Sequence, residues 1–146
     1  MEQGQDEKML GYAIRLTSGA EYTSWQVLRK LLARGASADS AEAICAQLRE
    51  SGMIDDARYC ELFASTHPDI GFARLRRELL KRGVDRIVIE ERLAFDLEAE
   101  TARAVALAIE WSSFADRRKI AGRLSRRGFA SSAIRDALHR ACDDGF

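Results

Sequence analysis

Leu75-Arg76-Arg77-Glu78-Leu79-Leu80-Lys81-Arg82-Gly83-Val84 reads as a basic amphipathic helix halted at a glycine, and its pattern occurs three times in the chain. Leu31-Leu32-Ala33-Arg34-Gly35-Ala36 stands 48 positions upstream, counting Gly35 to Gly83, and Leu124-Ser125-Arg126-Arg127-Gly128-Phe129 stands 45 downstream, counting Gly83 to Gly128. Aligned on the glycine, the position eight before it holds Val27, Leu75 and Ile120, and the position four before it holds Leu31, Leu79 and Leu124. The residue just before it is Arg34, Arg82 or Arg127. Six and ten residues after it come Ala41 and Cys45, Ile89 and Leu93, Ile134 and Leu138. Apolar pairs at helical spacing on either side of an Arg-Gly stop describe a helix, a tight turn and a second helix. The periodicity therefore predicts an all-α threefold tandem array, each unit holding such a helix, turn and second helix. The units span residues 10–52, 53–97 and 98–142, between tails at 1–9 and 143–146.

Composition agrees with that class. Of 146 residues one is proline, Pro68, and Ala, Leu, Arg and Glu dominate; those side chains lose little freedom in a helix. The 23 basic residues offset 23 acidic ones, so the whole-chain balance does not favour non-specific nucleic-acid binding. Three cysteines, Cys45, Cys60 and Cys142, without C-x-x-C spacing, read as reduced thiols packed as small hydrophobes in a cytoplasmic protein. No apolar run reaches membrane-spanning length, and the polar, acidic start lacks the order of a secretory signal. A soluble monomer with no membrane contact is expected.

Along the chain, polar residues from Met1 to about Lys8 predict a frayed tail, and Leu10, Ala13 and Ile14 open a first helix. Thr23 with Gln26 fits a capping box for a helix over 24–34, ended by Gly35. Asp39 with Glu42 signals the next start, with Ala41, Ile44, Cys45 and Leu48 inward. Asp55 or Asp56 caps a helix that buries Tyr59, Cys60, Phe63 and Ala64. Thr66 to Gly71, around Pro68, is a loop. The helix 72–82 follows, then an Asp85 cap and a helix reaching to about Asp96 with Ile87, Ile89 and Leu93 in its pattern. Leu97 to Trp111 is the longest helical stretch, with Ala102, Val105, Ala106 and Ile109 on one side and an acidic first turn, Glu98 and Glu100, suited to the helix dipole. Asp116 caps a helix through Arg127, and Ser131 or Ser132 begins the last, where Ala133, Ile134, Ala137, Leu138 and Ala141 pack inward.

Charge is locally uneven. Residues 72–86 carry Arg74, Arg76, Arg77, Lys81, Arg82 and Arg86 against Glu78 and Asp85. Residues 115–127 carry Arg117, Arg118, Lys119, Arg123, Arg126 and Arg127 against Asp116 alone. Between them the chain is acidic, with Glu90, Glu91, Asp96, Glu98 and Glu100 against Arg92. Lys119, Arg123, Arg126 and Arg127 share one helix face while Ile120 and Leu124 point to the core, and Glu78 stands four residues before Arg82, at pairing distance. Two basic faces recurring in register mark a binding surface for a patchy partner rather than a uniform phosphate rail.

No catalytic reading emerges. His67 and His139 stand apart from any cysteine or carboxylate at metal-ligand spacing, whereas zinc needs three or four such groups. No G-x-x-x-x-G-K-[ST] or G-x-G-x-x-G loop is present, Asp55-Asp56 reads as a cap, and no cofactor is expected. Trp25, Trp111, Tyr59, Phe72 and Phe129 read as core or inter-helix anchors, with burial of Trp25 and Trp111 the weakest expectation among them.

Asp55-Asp56-Ala57-Arg58-Tyr59, Arg74-Leu75-Arg76-Arg77-Glu78-Leu79-Leu80-Lys81-Arg82-Gly83-Val84, and Arg126-Arg127-Gly128-Phe129 followed by Ile134 and Ala137-Leu138 resemble successive signatures of RecX, the bacterial regulator of the RecA recombinase. Leu28-Arg29-Lys30-Leu31-Leu32-Ala33-Arg34-Gly35 resembles the same family's first repeat, so the likeness runs from Tyr12 to Ala141. The resemblance implies tandem three-helix repeats, each like a helix-turn-helix module, curved into an elongated body; with no catalytic constellation in the sequence, the protein is expected not to be an enzyme. The resemblance also implies a protein lying in the groove of the RecA filament on single-stranded DNA and restraining ATP hydrolysis, strand exchange and filament growth, with long arginines that can pair with carboxylates of the partner or, in direct DNA contact, with phosphates exposed in the groove. A helix-turn-helix protein acting on duplex DNA is the alternative from another class.

Overall fold

A computed structural model of the protein describes residues 2–143, and among these all regular structure is helical. The helices are α1 (Glu2–Gly19), α2 (Ser24–Ala33), α3 (Ala38–Glu50), α4 (Asp56–Thr66), α5 (Phe72–Lys81), α6 (Arg86–Arg92), α7 (Leu97–Trp111), α8 (Arg117–Arg126) and α9 (Ser131–Leu138), with a π-helical turn over His139–Asp143. No helix among the described residues is long and apolar enough to cross a membrane.

The threefold register governs the helix ends. Gly35, Gly83 and Gly128 have φ of 97°, 83° and 88°, the left-handed region that glycine enters without a Cβ clash. Each closes the same pair of bonds. Ala36, Val84 and Phe129 donate to the carbonyls of Leu31, Leu79 and Leu124 at 3.1 Å, and the glycine amides donate to Leu32, Leu80 and Ser125 at 3.0 Å. This double closure satisfies carbonyls that the end of a helix leaves open. Leu31, Leu79 and Leu124, which accept the longer bond, are fully buried, and each such burial contributes roughly 1.5–3 kcal/mol.

The described chain gathers into two compact units. One holds the residues up to Leu62 with Leu79–Arg92, the other Phe63–Glu78 with the residues from Leu93 on. The first has a core of Met9, Ala13, Val27, Leu31, Ala41, Ile44, Cys45, Leu48 and Ile54. The second is built on Ala104, Ala108, Trp111, Ile120, Leu124, Phe129, Ala133, Ala137 and Leu138.

In the first unit the predicted capping box is present. Thr23 Oγ1 accepts from Gln26 N at 3.1 Å and Gln26 Oε1 accepts from Thr23 N at 3.0 Å. The hydroxyl also donates to the carbonyl of Arg82 at 2.7 Å, which ties the start of α2 to the end of α5. Asp55 caps α4 through the amide of Arg58 at 3.0 Å, while Asp56 reaches across to accept from Ser24 N at 2.8 Å. Thr23 is fully buried, so Thr23→Val strands both the Arg82 carbonyl and an α2 amide. A loss of about 2–3 kcal/mol in denaturant unfolding is expected; a loss below about 0.5 kcal/mol would show that the hydroxyl bond carries no net stability.

Several expectations need correction. Residues 2–9 are helical rather than frayed, because Met9 enters the core and the Asp6 carboxylate accepts from Ser40 Oγ at 2.6 Å. Ser37, not Asp39, caps α3, accepting from Ser40 N at 3.1 Å. α6 stops at Arg92 instead of near Asp96, since Asp96 is extended and caps α7 through Ala99 N at 3.1 Å; Ile87 is exposed. α7 buries Thr101, Ala104, Ala108 and Trp111, and leaves Ile109 56% exposed. Trp111 is a core residue, whereas Trp25 is 41% exposed. Residues 144–146 of the expected C-terminal tail lie outside the described residues.

Candidate functional site

The second unit brings its arginines together through an unusually close backbone crossing. Gly71, at the start of α5, donates its amide to the carbonyl of Arg127 at 2.7 Å. A Cβ on Gly71 would overlap the backbone of Gly128 and Phe129, and one on Gly128 would overlap Arg74. Two glycines therefore let the first turn of α5 lie directly on the end of α8, and Arg74 arrives beside Arg127.

Glu100 fixes the same junction from below. Its side chain is 2% exposed, yet Oε1 accepts from Phe72 N at 2.7 Å and Oε2 from Ala130 N at 2.8 Å. One buried carboxylate thus serves the first amide of α5 and the N-cap amide of α9, which has no side-chain cap of its own. Arg103 balances it, with Nη2 at 3.6 Å from Oε1. The same guanidinium straps down the 67–71 loop by donating to the carbonyls of Ile70 at 2.5 Å and Pro68 at 3.2 Å. A buried charge met by two amides and a cation is satisfied.

Above this junction lies an open cleft of about 520 Å³ lined by His67, Asp69, Ile70, Arg74, Arg123, Arg126 and Arg127. Asp116 caps α8 through Lys119 N at 2.9 Å, and burial of Ile120 and Leu124 turns the basic face outward. The Arg123 guanidinium carbon lies 5.5 Å from the Trp111 ring centre and 5.4 Å from that of Phe114; that of Arg127 lies 5.0 Å from Trp111. The aromatic faces hold both cations by their ring quadrupoles. Arg127 Nη1 also donates to Asp69 Oδ2 at 2.8 Å. His67 stacks on Phe63 with ring centres 4.0 Å apart, its Nδ1 2.8 Å from the Phe63 carbonyl. A carbonyl only accepts, so the proton of this contact belongs on Nδ1. Planar guanidinium forks around a concave surface suit bidentate recognition of an anion.

Of the basic residues singled out from sequence, Arg74, Arg123, Arg126 and Arg127 share this cleft. Arg76 and Arg77 lie on α5 outside its lining, half-buried and exposed respectively. Lys81 and Arg82 fall in the first unit, where the Arg82 carbonyl has the structural role described with Thr23. Arg117, Arg118 and Lys119 are exposed on the first turn of α8. Cations there oppose the helix dipole at about 0.3–1 kcal/mol each, so α8 formation does not account for them. Sequence reasoning missed the place of His67 in the cleft and that of Asp69, which meets Arg127 across 58 positions, and read Glu100 as a dipole charge within an acidic connection. No local signal marks these roles.

Among the described residues no group of three or more His, Cys, Asp or Glu side chains is arranged to hold a metal ion. Cys45 and Cys60 are buried. Burial, with Asp56 and Glu61 nearby, pushes the Cys60 thiol up to about 11, which keeps it protonated and unreactive near neutrality.

No family model matches the chain. It is 32% identical to the regulatory protein RecX of Stenotrophomonas maltophilia (strain R551-3), over 98% of this chain and 90% of that protein. It is 33% identical to the regulatory protein RecX of Halorhodospira halophila, over 90% and 87% of the two chains. The crystal structure of RecX from Lactobacillus salivarius superposes with a TM-score of 0.83 at 22% identity, covering 95% of this chain and 97% of that one.

Proposed function

The chain belongs to the RecX family of regulatory proteins, and from that premise we propose that it regulates the RecA recombinase. In this reading it lodges, as a cytoplasmic monomer, in the groove of the RecA filament on single-stranded DNA. There it restrains ATP hydrolysis, strand exchange and filament growth. The observation that carries the reading is the family match, which runs across nearly the whole chain.

The geometry of the second unit supports it. Basic side chains on helices that are themselves pinned by Glu100 and the Gly71–Gly128 crossing lose little freedom on meeting acidic groups of a partner. Three repeats, over 10–52, 53–97 and 98–142, recur at near-equal intervals of sequence, which suits a partner that is itself a polymer of identical protomers. Holding neighbouring protomers together hinders the relative motions that ATP turnover needs.

Simultaneous charge reversal of Arg77, Arg118, Lys119 and Arg126, all exposed, tests the basic faces without touching either core. The variant is expected to stay helical and to need about tenfold or more protein for half-inhibition of RecA-dependent ATP hydrolysis. Unchanged inhibition by a folded variant would remove these faces from the mechanism. The duplex-DNA alternative predicts instead sequence-preferring binding of double-stranded DNA without RecA.

A further inference from the structure

Twelve positions before the three stop glycines stand Thr23, Gly71 and Asp116, each the residue that opens a repeat's second helix. In two cases this helix start is seated on the Arg-Gly turn of the following repeat. Thr23 Oγ1 donates to the carbonyl of Arg82, and Gly71 N donates to that of Arg127. A Cβ on Gly83 would overlap Trp25 in the first turn of α2, and one on Gly128 would overlap Arg74 in the first turn of α5. The same crossing is thus built once in each unit.

One half of the crossing is left over at each end of the register. Arg34-Gly35 is a turn without a helix start on it: a Cβ on Gly35 meets nothing within 4 Å, and among the described residues no group donates to the Arg34 carbonyl. Asp116 opens a helix start without a turn beneath it, and among the described residues its amide has no acceptor. The fold needs a glycine at 35 for its φ of 97°, but not for the space beside it.

Charge indicates what fills that space. Gly35 borders an open cleft of about 520 Å³ whose charged lining residues are Asp6 and Asp39. Among the described residues, neither lies within ion-pair distance of a cation. Counted from the stop glycine, Arg118 stands in the α8 start where Trp25 stands in α2, and Lys119 where Arg74 stands in α5. Both are exposed cations that the helix dipole disfavours. A nucleic-acid phosphate does not match the cleft, because it brings no N–H to the Arg34 carbonyl and is repelled by two carboxylates.

We propose that the Arg34–Gly35 turn docks the α8 start of a second copy of this chain, with the Asp116 amide donated to the Arg34 carbonyl and with Arg118 and Lys119 facing Asp6 and Asp39. The two surfaces differ, so the contact is heterologous and repeats from copy to copy instead of closing a pair. One helix start on one turn buries well under the roughly 1,000 Å² of a stable interface. The free chain is therefore monomeric at micromolar concentration and docks in the millimolar range, which copies held side by side on a common scaffold reach. On the regulatory reading the filament is that scaffold; the docking contact itself does not rest on it.

Sedimentation velocity of the full chain from about 10 μM to about 1 mM at low salt tests the contact. Monomer at the lowest concentration, and species that grow past two copies at the highest and fade as salt rises, are expected. Gly35→Asn keeps the left-handed turn, which asparagine tolerates, and fills the open space, so it weakens association about tenfold. Gly52→Asn is the control. Its φ is 79° and nothing lies within 4 Å of a Cβ there, but it belongs to no Arg-Gly turn, and it associates as the parent does. Arg118→Glu and Asp39→Lys each weaken association about tenfold alone, and an equimolar mixture of the two recovers it, because every reversed charge then meets its opposite.

A folded chain that stays monomeric at millimolar concentration overturns the proposal, as does growth that stops at a pair, equal loss in Gly35→Asn and Gly52→Asn, or a mixture that fails to recover. RecA-dependent ATP hydrolysis measured alongside keeps the two readings apart. A chain that inhibits RecA without associating overturns the docking contact alone. One that associates but leaves RecA untouched upholds the contact and removes the regulatory reading.

Discussion

Glu100→Ala is expected to destabilise the protein by about 3–4 kcal/mol in denaturant unfolding, from the loss of two charge-assisted hydrogen bonds and of buried volume. The carboxylate is the shared acceptor for Phe72 N and Ala130 N, and its removal leaves both part-buried amides without a partner. It also leaves Arg103 without its anion, although that guanidinium keeps the Ile70 carbonyl. Glu100→Gln retains one acceptor but turns an amide N–H₂ toward the other backbone donor, so an intermediate loss of about 1–3 kcal/mol is expected. Near-native stability of the alanine variant would show that water replaces the carboxylate at both amides. Because α5 and α9 start on this group, the variant should also loosen the cleft above it. Faster amide exchange at Phe72 and Ala130 than at the far end of α8 is the corresponding sign.

Gly71→Ala is expected to be nearly as damaging, at about 2–4 kcal/mol, for a steric reason. The atoms that an added methyl would overlap are the carbonyl of Gly128 and the amide of Phe129. Backbone cannot swing away as a side-chain tip does, so α5 must lift from the end of α8 and its 2.7 Å bond to Arg127 must stretch. Gly4→Ala is the control, because nothing lies within 4 Å of a Cβ there and the site is helical. It should stabilise by about 0.5–1 kcal/mol. Equal behaviour of the two variants in a melting experiment would contradict the close crossing.

What could be read from the sequence was local. The Arg-Gly stops, the Thr23–Gln26 capping box and the Asp116 cap are written within four or five residues, and their geometry follows from short-range sterics and hydrogen bonding. Where chemistry depends on residues far apart, the sequence was silent. α7 illustrates the limit within one helix. It is apolar on nearly all sides, so periodicity alone chose Ala102, Val105, Ala106 and Ile109, while the core takes Thr101, Ala104, Ala108 and Trp111. Its first-turn Glu100 looked like one more dipole charge, yet it joins the starts of two helices 28 and 30 positions away. The basic residues were legible as a group. Their division was not: Arg74 reaches the cleft only because Gly71 and Gly128 permit the crossing, whereas Arg77 remains outside it.

RecA-catalysed ATP hydrolysis on single-stranded DNA, followed with increasing amounts of this chain, tests the central claim most directly. A saturable fall in the rate, lost when the basic faces are reversed in a folded variant, is the predicted result. A rate unchanged at excess chain would contradict the claim.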